Sequence, residues 1–206
     1  MSTRTVFIEG PERLEGVLHE GAGRGVSVIC HPHPLYGGSM WNEVVEAMEE
    51  GFLKAGFSTL RFNFRGVGGS SGRYDEGKGE TDDLLAACQF LKERANEGAR
   101  FAIAGYSFGA WISSMAALRV AGVTDLFLVA FPFSSYSAAE IRSFPGRVLL
   151  VGGSFDDISP EGDLRAFYRD LKGEKLLKVI PTSHFFEGLT AEISEFVVEC
   201  FRKEEG

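Results

Sequence analysis

The chain has 206 residues, of which 44% are hydrophobic and 24% charged. That length suits one domain burying about 70% of its unfolded surface, and the composition excludes the polar balance that leaves a chain disordered. A formal charge of -8 offers no electrostatic reason to gather on phosphate backbones or anionic lipid, so neither nucleic acid nor a membrane is expected as partner.

The N-terminal residues lack the apolar run of a signal peptide, and no later segment reaches about 18 consecutive apolar residues. Cys30, Cys88 and Cys200 are too few and too scattered for a disulfide framework, which fits a reducing, cytoplasmic setting.

In chain order, Thr5–Ile8 and Leu14–His19 flank the breaker Gly10-Pro11 and predict a β-hairpin. Val26–Cys30, short and β-branched, predicts a central strand covered on both faces. Residues 42–55 place Val44, Val45, Met48, Phe52 and Leu53 at helical spacing and stop at Gly56. The alternation then repeats as strand Phe57–Phe64, helix Asp82–Arg94, strand Phe101–Ala104, helix Ala110–Val120, strand Leu126–Phe131, strand Val148–Val151, helix Gly162–Leu171, strand Leu176–Ile180 and a last helix through Ile193, Phe196, Val197 and Phe201. Strands separated by helices of this length predict an α/β fold, a mostly parallel sheet with helices on both faces led in by an antiparallel hairpin. Ligands bind such sheets at the carboxyl ends of the strands, which directs attention to the loops that follow them.

The pattern Gly-x-Ser-x-Gly occurs twice, at Gly105–Gly109 and at Gly68–Gly72, and in a chain with 26 glycines the pattern alone is weak. Ser107 follows the apolar run Phe101–Ala104 and precedes Ala110–Leu118, the strand-turn-helix setting of a nucleophile. Ser70 is followed by the polar, glycine-rich Arg73–Gly79, which reads as a loop. A serine at a helix start also serves as an ordinary cap. The same helix start supplies chemistry, because the free N–H of Phe108 and the positive helix end can hold an oxyanion.

A serine hydroxyl requires a base. Of four histidines, His19 ends the hairpin and reads as a surface residue, while His184 follows a strand at the same sheet edge as Ser107 and is the candidate base. The segment Gly152–Pro160 offers Asp156 and Asp157 as the carboxylate that would orient it, either of which is otherwise a helix cap. Chain order Ser, Asp, His matches the arrangement of the α/β-hydrolase motif.

With these residues in hand, nearly the whole chain resembles the α/β-hydrolase superfamily. The family's acid loop looks like Gly-x-x-Asp-x-Ile/Val-x-Pro, and Gly153–Pro160 fits it with Asp156 in the acid position. Arg65–Ser70 looks like the family's Arg-Gly-x-Gly-x-Ser loop, which makes Ser70 structural. His31-Pro32-His33-Pro34 resembles a small lidless subgroup related to dienelactone hydrolases, in place of the usual His-Gly. Proline has no N–H, so the resemblance implies that the second oxyanion donor is His33 or Leu35. Dienelactone hydrolases carry a cysteine nucleophile where this chain has Ser107, so their substrate does not carry over.

The implied activity is cleavage of small carboxylic esters or thioesters through an acyl-serine, on a small-molecule ester or acyl substrate, with no cofactor and no metal; peptides and lactones stay open. Phe131, Phe133, Tyr36, Trp41, Phe155 and Phe186 lie on or near the site loops and are candidates for an acyl pocket or for packing. Two further readings remain: a metal hydrolase using His31, His33, Asp156 and Asp157, and a binding module that keeps the fold without the chemistry. Oligomeric state stays open, a homodimer included.

Overall fold

A computed structural model describes residues 2–202. Strands β1 (Thr3–Ile8) and β2 (Leu14–His19) form the antiparallel hairpin, and β2 also pairs antiparallel with β4 (Phe57–Phe62). The remaining strands are β3 (Gly25–Cys30), β5 (Arg100–Tyr106), β6 (Asp125–Val129), β7 (Arg147–Gly153) and β8 (Lys175–Ile180). One eight-stranded sheet results, in the order β1-β2-β4-β3-β5-β6-β7-β8 and parallel from β4 onward. This is the α/β-hydrolase fold.

The helices are α1 (Glu43–Lys54), α2 (Lys78–Lys92), α3 (Phe108–Ala117), α4 (Glu161–Asp170) and α5 (Ala191–Phe201). Successive strand residues point to opposite faces, and both faces of the central strands are buried. Val28, Ile103, Leu126, Leu128, Val148 and Leu150 join a core with α2, α3 and α4. Their neighbours Ile29, Ala102, Ala104, Phe127, Val129, Leu149 and Val151 join a second core with α1 and α5. Double burial is why these strands read as unbroken apolar runs rather than as alternating ones. No helix among the described residues is long and apolar enough to cross a membrane.

Most boundaries differ from the sequence expectation by one or two residues, but α2 starts four residues earlier than expected, at Lys78. The cause is Glu80, fully buried, whose carboxylate accepts the N–H groups of Gly77 at 2.7 Å and Asp75 at 2.9 Å. Two orphan donors at the helix start are thereby satisfied, and part of the polar stretch read as loop becomes the first turn.

His19 also departs from expectation. It is half-buried rather than a free surface residue, with Nδ1 2.8 Å from Glu49 Oε1. Glu49 in turn accepts from Thr59 at 3.1 Å and lies 2.9 Å from Arg61 Nε, which joins α1 to β2 and β4. Cys30, Cys88 and Cys200 are all free thiols, buried in the cores.

Candidate active site

Strand β5 ends at Tyr106 and α3 begins at Phe108, leaving Ser107 alone to make the turn. It does so with φ 55° and ψ -118°, a conformation that a non-glycine residue adopts only when its surroundings hold it there. Those surroundings are tight. A Cβ on Gly109 would lie 2.5 Å from the Cys30 carbonyl oxygen and 2.6 Å from that of His31, and one on Gly105 would strike the Gly109 backbone. Only glycine lets α3 pack this close to β3 and β5. The Ser107 N–H donates to the Val129 carbonyl at 2.9 Å, pinning the turn to β6.

The loop after β8 brings His184 to this turn, with Nε2 2.9 Å from Ser107 Oγ. On its other side, His184 Nδ1 lies 2.8 Å from Asp156 Oδ2, on the loop after β7. Both His184 and Asp156 are buried. The second carboxylate oxygen, Oδ1, accepts from the N–H groups of Ile158 at 2.9 Å and Ser159 at 2.7 Å, so Asp156 caps its own loop and not α4, whose first flanking residue is Pro160. Asp157, the other candidate, is exposed and bonds no part of this line. Tyr106 donates its hydroxyl to the His184 carbonyl at 2.9 Å, and burial pushes its phenol pKa well above the ordinary value. The sequence does not single out Tyr106, although it occupies a variable position of the glycine-serine motif.

The two oxyanion candidates on the loop after β3 separate clearly. Leu35 spends its N–H on His33 Nδ1, 3.2 Å away in the 3₁₀ turn Pro34–Tyr36. The backbone N–H of His33 has no hydrogen-bond partner among the described residues, and neither has that of Phe108 at the start of α3. The His33 ring packs against Tyr36, Tyr74 and Phe108, and burial lowers its pKa. With Nδ1 accepting, the proton of the neutral ring sits on Nε2, 3.3 Å from the Tyr74 hydroxyl.

His31 does not fit the metal reading. It is buried, its Nδ1 donates to the Pro32 carbonyl at 2.6 Å and its Nε2 accepts from the Phe64 N–H at 3.0 Å, so no ring lone pair is left for a cation. Burial lowers its pKa to about 4. Among the described residues, no group of three or more His, Cys, Asp or Glu side chains is arranged to hold a metal.

A cavity of about 510 Å³ opens over Ser107, lined by Pro32, His33, Tyr36, Ile158, His184 and Phe185 among others. Of the six aromatic residues expected near an acyl pocket, only Tyr36 lines it. Phe131 and Phe186 are core residues, Phe133 packs on the core from outside, Trp41 is exposed with the Arg61 guanidinium over its ring, and Phe155 is exposed. Sequence reasoning does not point to Ile158 and Phe185, although Phe185 adjoins the candidate base and Ile158 the candidate acids.

A model of the alpha/beta hydrolase family matches residues 17–197. A protein of Rickettsia prowazekii is 30% identical over 204 residues, covering 93% of this chain and 86% of its own length. Among solved structures, an alpha-beta serine hydrolase homologue from Coxiella burnetii has a TM-score of 0.89 at 35% identity, covering 97% of this chain and 98% of that one. A Xanthomonas campestris protein described as an α/β serine hydrolase without a lid has a TM-score of 0.89 at 26% identity, covering 98% of this chain and 94% of its own.

Proposed function

The chain belongs to the alpha/beta hydrolase family, and on that premise we propose that it is a serine hydrolase cleaving carboxylic esters through an acyl-serine intermediate. The observation that carries this reading is the unbroken hydrogen-bonded line from Ser107 Oγ through His184 to Asp156, ending on a strained serine at the start of a helix.

In this reading Ser107 Oγ attacks the ester carbonyl carbon while His184 Nε2 takes its proton, and Asp156 holds the resulting imidazolium in place. The tetrahedral oxyanion is held by the N–H of Phe108, aided by the positive end of α3, and by the N–H of His33. His33 is favoured over Leu35 because its N–H has no other partner among the described residues and because it lines the cavity with Ser107. Collapse breaks the bond to the leaving alcohol, which takes the proton from His184. Water then attacks the acyl-serine with His184 again as base, releasing the carboxylic acid and restoring Ser107.

The one regular element between β6 and β7 is the short 3₁₀ turn Glu140–Ser143. That favours an open site, in line with the lidless relatives of dienelactone hydrolases that the His31–Pro34 loop resembles. Thioesters undergo the same steps. Treating the purified protein with a fluorophosphonate and locating the adduct by peptide mass spectrometry tests the reading: the label is expected on Ser107, and a wild-type protein that takes no label overturns it.

A further inference from the structure

Large apolar side chains left singly on a surface need no explanation, but a cluster of them marks a place where something binds. Nine are exposed among the described residues, and six sit on three of the loops that frame Ser107. Leu35, Tyr36 and Trp41 follow β3, Phe155 and Ile158 follow β7, and Phe185 follows β8 beside His184. Tyr36 is 87% exposed, Phe155 69%, Leu35 66% and Phe185 61%, so most of each apolar side chain is left to water.

Charge narrows what the rim can receive. The segments after β3 (31–42), β7 (154–160) and β8 (181–190) contain no lysine or arginine, Asp157 and Glu187 add negative charge, and the one basic residue in the segment after β6 (130–146), Arg142, lies 3.5 Å from Asp170. In the loop after β4, Arg65 is held by Asp83 at 2.7 Å, and Arg73 borders a different hollow with Glu12 and Asp75. A phosphate-bearing substrate therefore meets no lysine or arginine among the described residues that line the cavity, whereas an uncharged hydrocarbon meets Tyr36, Ile158 and Phe185 there.

Resting on the serine-hydrolase reading above, we propose that this rim binds the hydrocarbon part of the substrate, so that the preferred substrates are uncharged esters with an acyl chain long enough to leave the cavity and lie along Tyr36, Ile158 and Phe185. Chain length should then raise kcat/KM, because each methylene that leaves water for the rim contributes to transition-state binding. Nucleotide-bearing thioesters such as acyl-coenzyme A should be poor substrates for want of a cation.

The test compares p-nitrophenyl acetate with the octanoate, kept below its micelle concentration, and octanoyl-coenzyme A with the phosphate-free S-octanoyl-N-acetylcysteamine. In the wild type, the octanoate-to-acetate ratio of kcat/KM is expected to be at least about 10, and the phosphate-free thioester to be preferred by at least about tenfold. The double variant Tyr36→Ser/Phe185→Ser should lower the chain-length ratio at least about fivefold. Leu118→Ser, which removes an exposed apolar side chain at the far end of α3, should leave it unchanged. Fluorophosphonate labelling of the same preparations separates the failures. An unlabelled wild type sinks the serine-hydrolase reading. A labelled wild type whose ratio is flat, whose ratio ignores the double variant, or which prefers the coenzyme A ester, sinks this inference alone. So does a wild-type dimer, seen by sedimentation, that the double variant dissociates while the ratio stays the same.

Discussion

Ser107 and Ser70 sit in the same five-residue pattern, and the two segments have opposite fates. Ser107 lies between a buried strand and a buried helix, and its hydroxyl reaches His184 at 2.9 Å. Ser70 lies in a loop, where its hydroxyl donates to the Asn63 carbonyl at 2.7 Å and accepts the Glu15 N–H at 2.9 Å. Its neighbour Ser71 repeats the device, accepting the Arg13 N–H at 2.9 Å and donating to Glu12 at 2.6 Å. One copy holds a hydroxyl toward a histidine and a cavity, while the other closes the hydroxyl onto backbone and stitches the loop after β4 to the approach to β2. The pattern thus specifies a tight turn around a serine, and what the hydroxyl meets decides whether chemistry is open to it.

The largest expected effect separates the two serines outright. Ser107→Ala should lower p-nitrophenyl acetate turnover by at least about 10⁴-fold with no loss of folding by circular dichroism. A variant retaining a tenth of the activity would place the nucleophile elsewhere.

Asp156→Asn should follow, with kcat lowered about 10²- to 10⁴-fold, because an amide facing His184 Nδ1 no longer favours the tautomer that leaves Nε2 free to accept the serine proton. Steady-state kinetics read this directly, and a change in KM alone would be the wrong result.

His31 ties stability to pH, for its Nε2 accepts the N–H of Phe64 at the start of the Ser70 loop and has to stay unprotonated to do so. Burial lowers its pKa to about 4, whereas the unfolded ring titrates near about 6.5. Between those values the unfolded chain binds the extra proton, so stability is fully present above about pH 6.5 and is lost as pH falls toward 4, by about 3 kcal/mol in all. Urea unfolding at pH 7 and pH 5 should show about 2 kcal/mol of that loss in the wild type and a clearly smaller loss in His31→Gln. Equal losses in the two proteins would rule out His31 as the cause.

The smallest effect is on the other serine. Ser70→Ala leaves the Glu15 N–H and the Asn63 carbonyl short of a partner in a half-buried place, which should cost about 1–2 kcal/mol and lower Tm by about 4 °C. Turnover should stay within about twofold of wild type, since Ser70 does not line the cavity. A variant that loses activity while keeping its Tm would reverse the assignment of the two serines.

Much of this molecule is legible in its amino-acid sequence. The alternation of apolar runs with 3.6-period segments determines the sheet and its helices, because double burial of a strand and single-sided burial of a helix each leave a period in the sequence. The turn at Ser107 is legible for the same reason, since glycines two residues to either side of a serine, after one period and before the other, mark a strand-to-helix approach too close for a Cβ. His184 and Asp156 stand out as residue types following strands, and their distances to each other and to Ser107 come only with the fold.

Only the tertiary structure decided the rest, and in each case the deciding partner lies far along the chain or on a side of a loop that no period marks. Asp156 and Asp157 are adjacent in sequence, yet one is buried against His184 and the other faces solvent. Phe185 and Phe186 are adjacent as well, one exposed beside the cavity and the other in the core. His19 meets Glu49, thirty residues away. Leu35 loses its free N–H to a neighbouring ring whose orientation is set by packing on Tyr74 and Phe108. Local periodicity records which face of a regular element is buried; loops have no period, so the directions of their side chains are settled by what the rest of the fold brings against them.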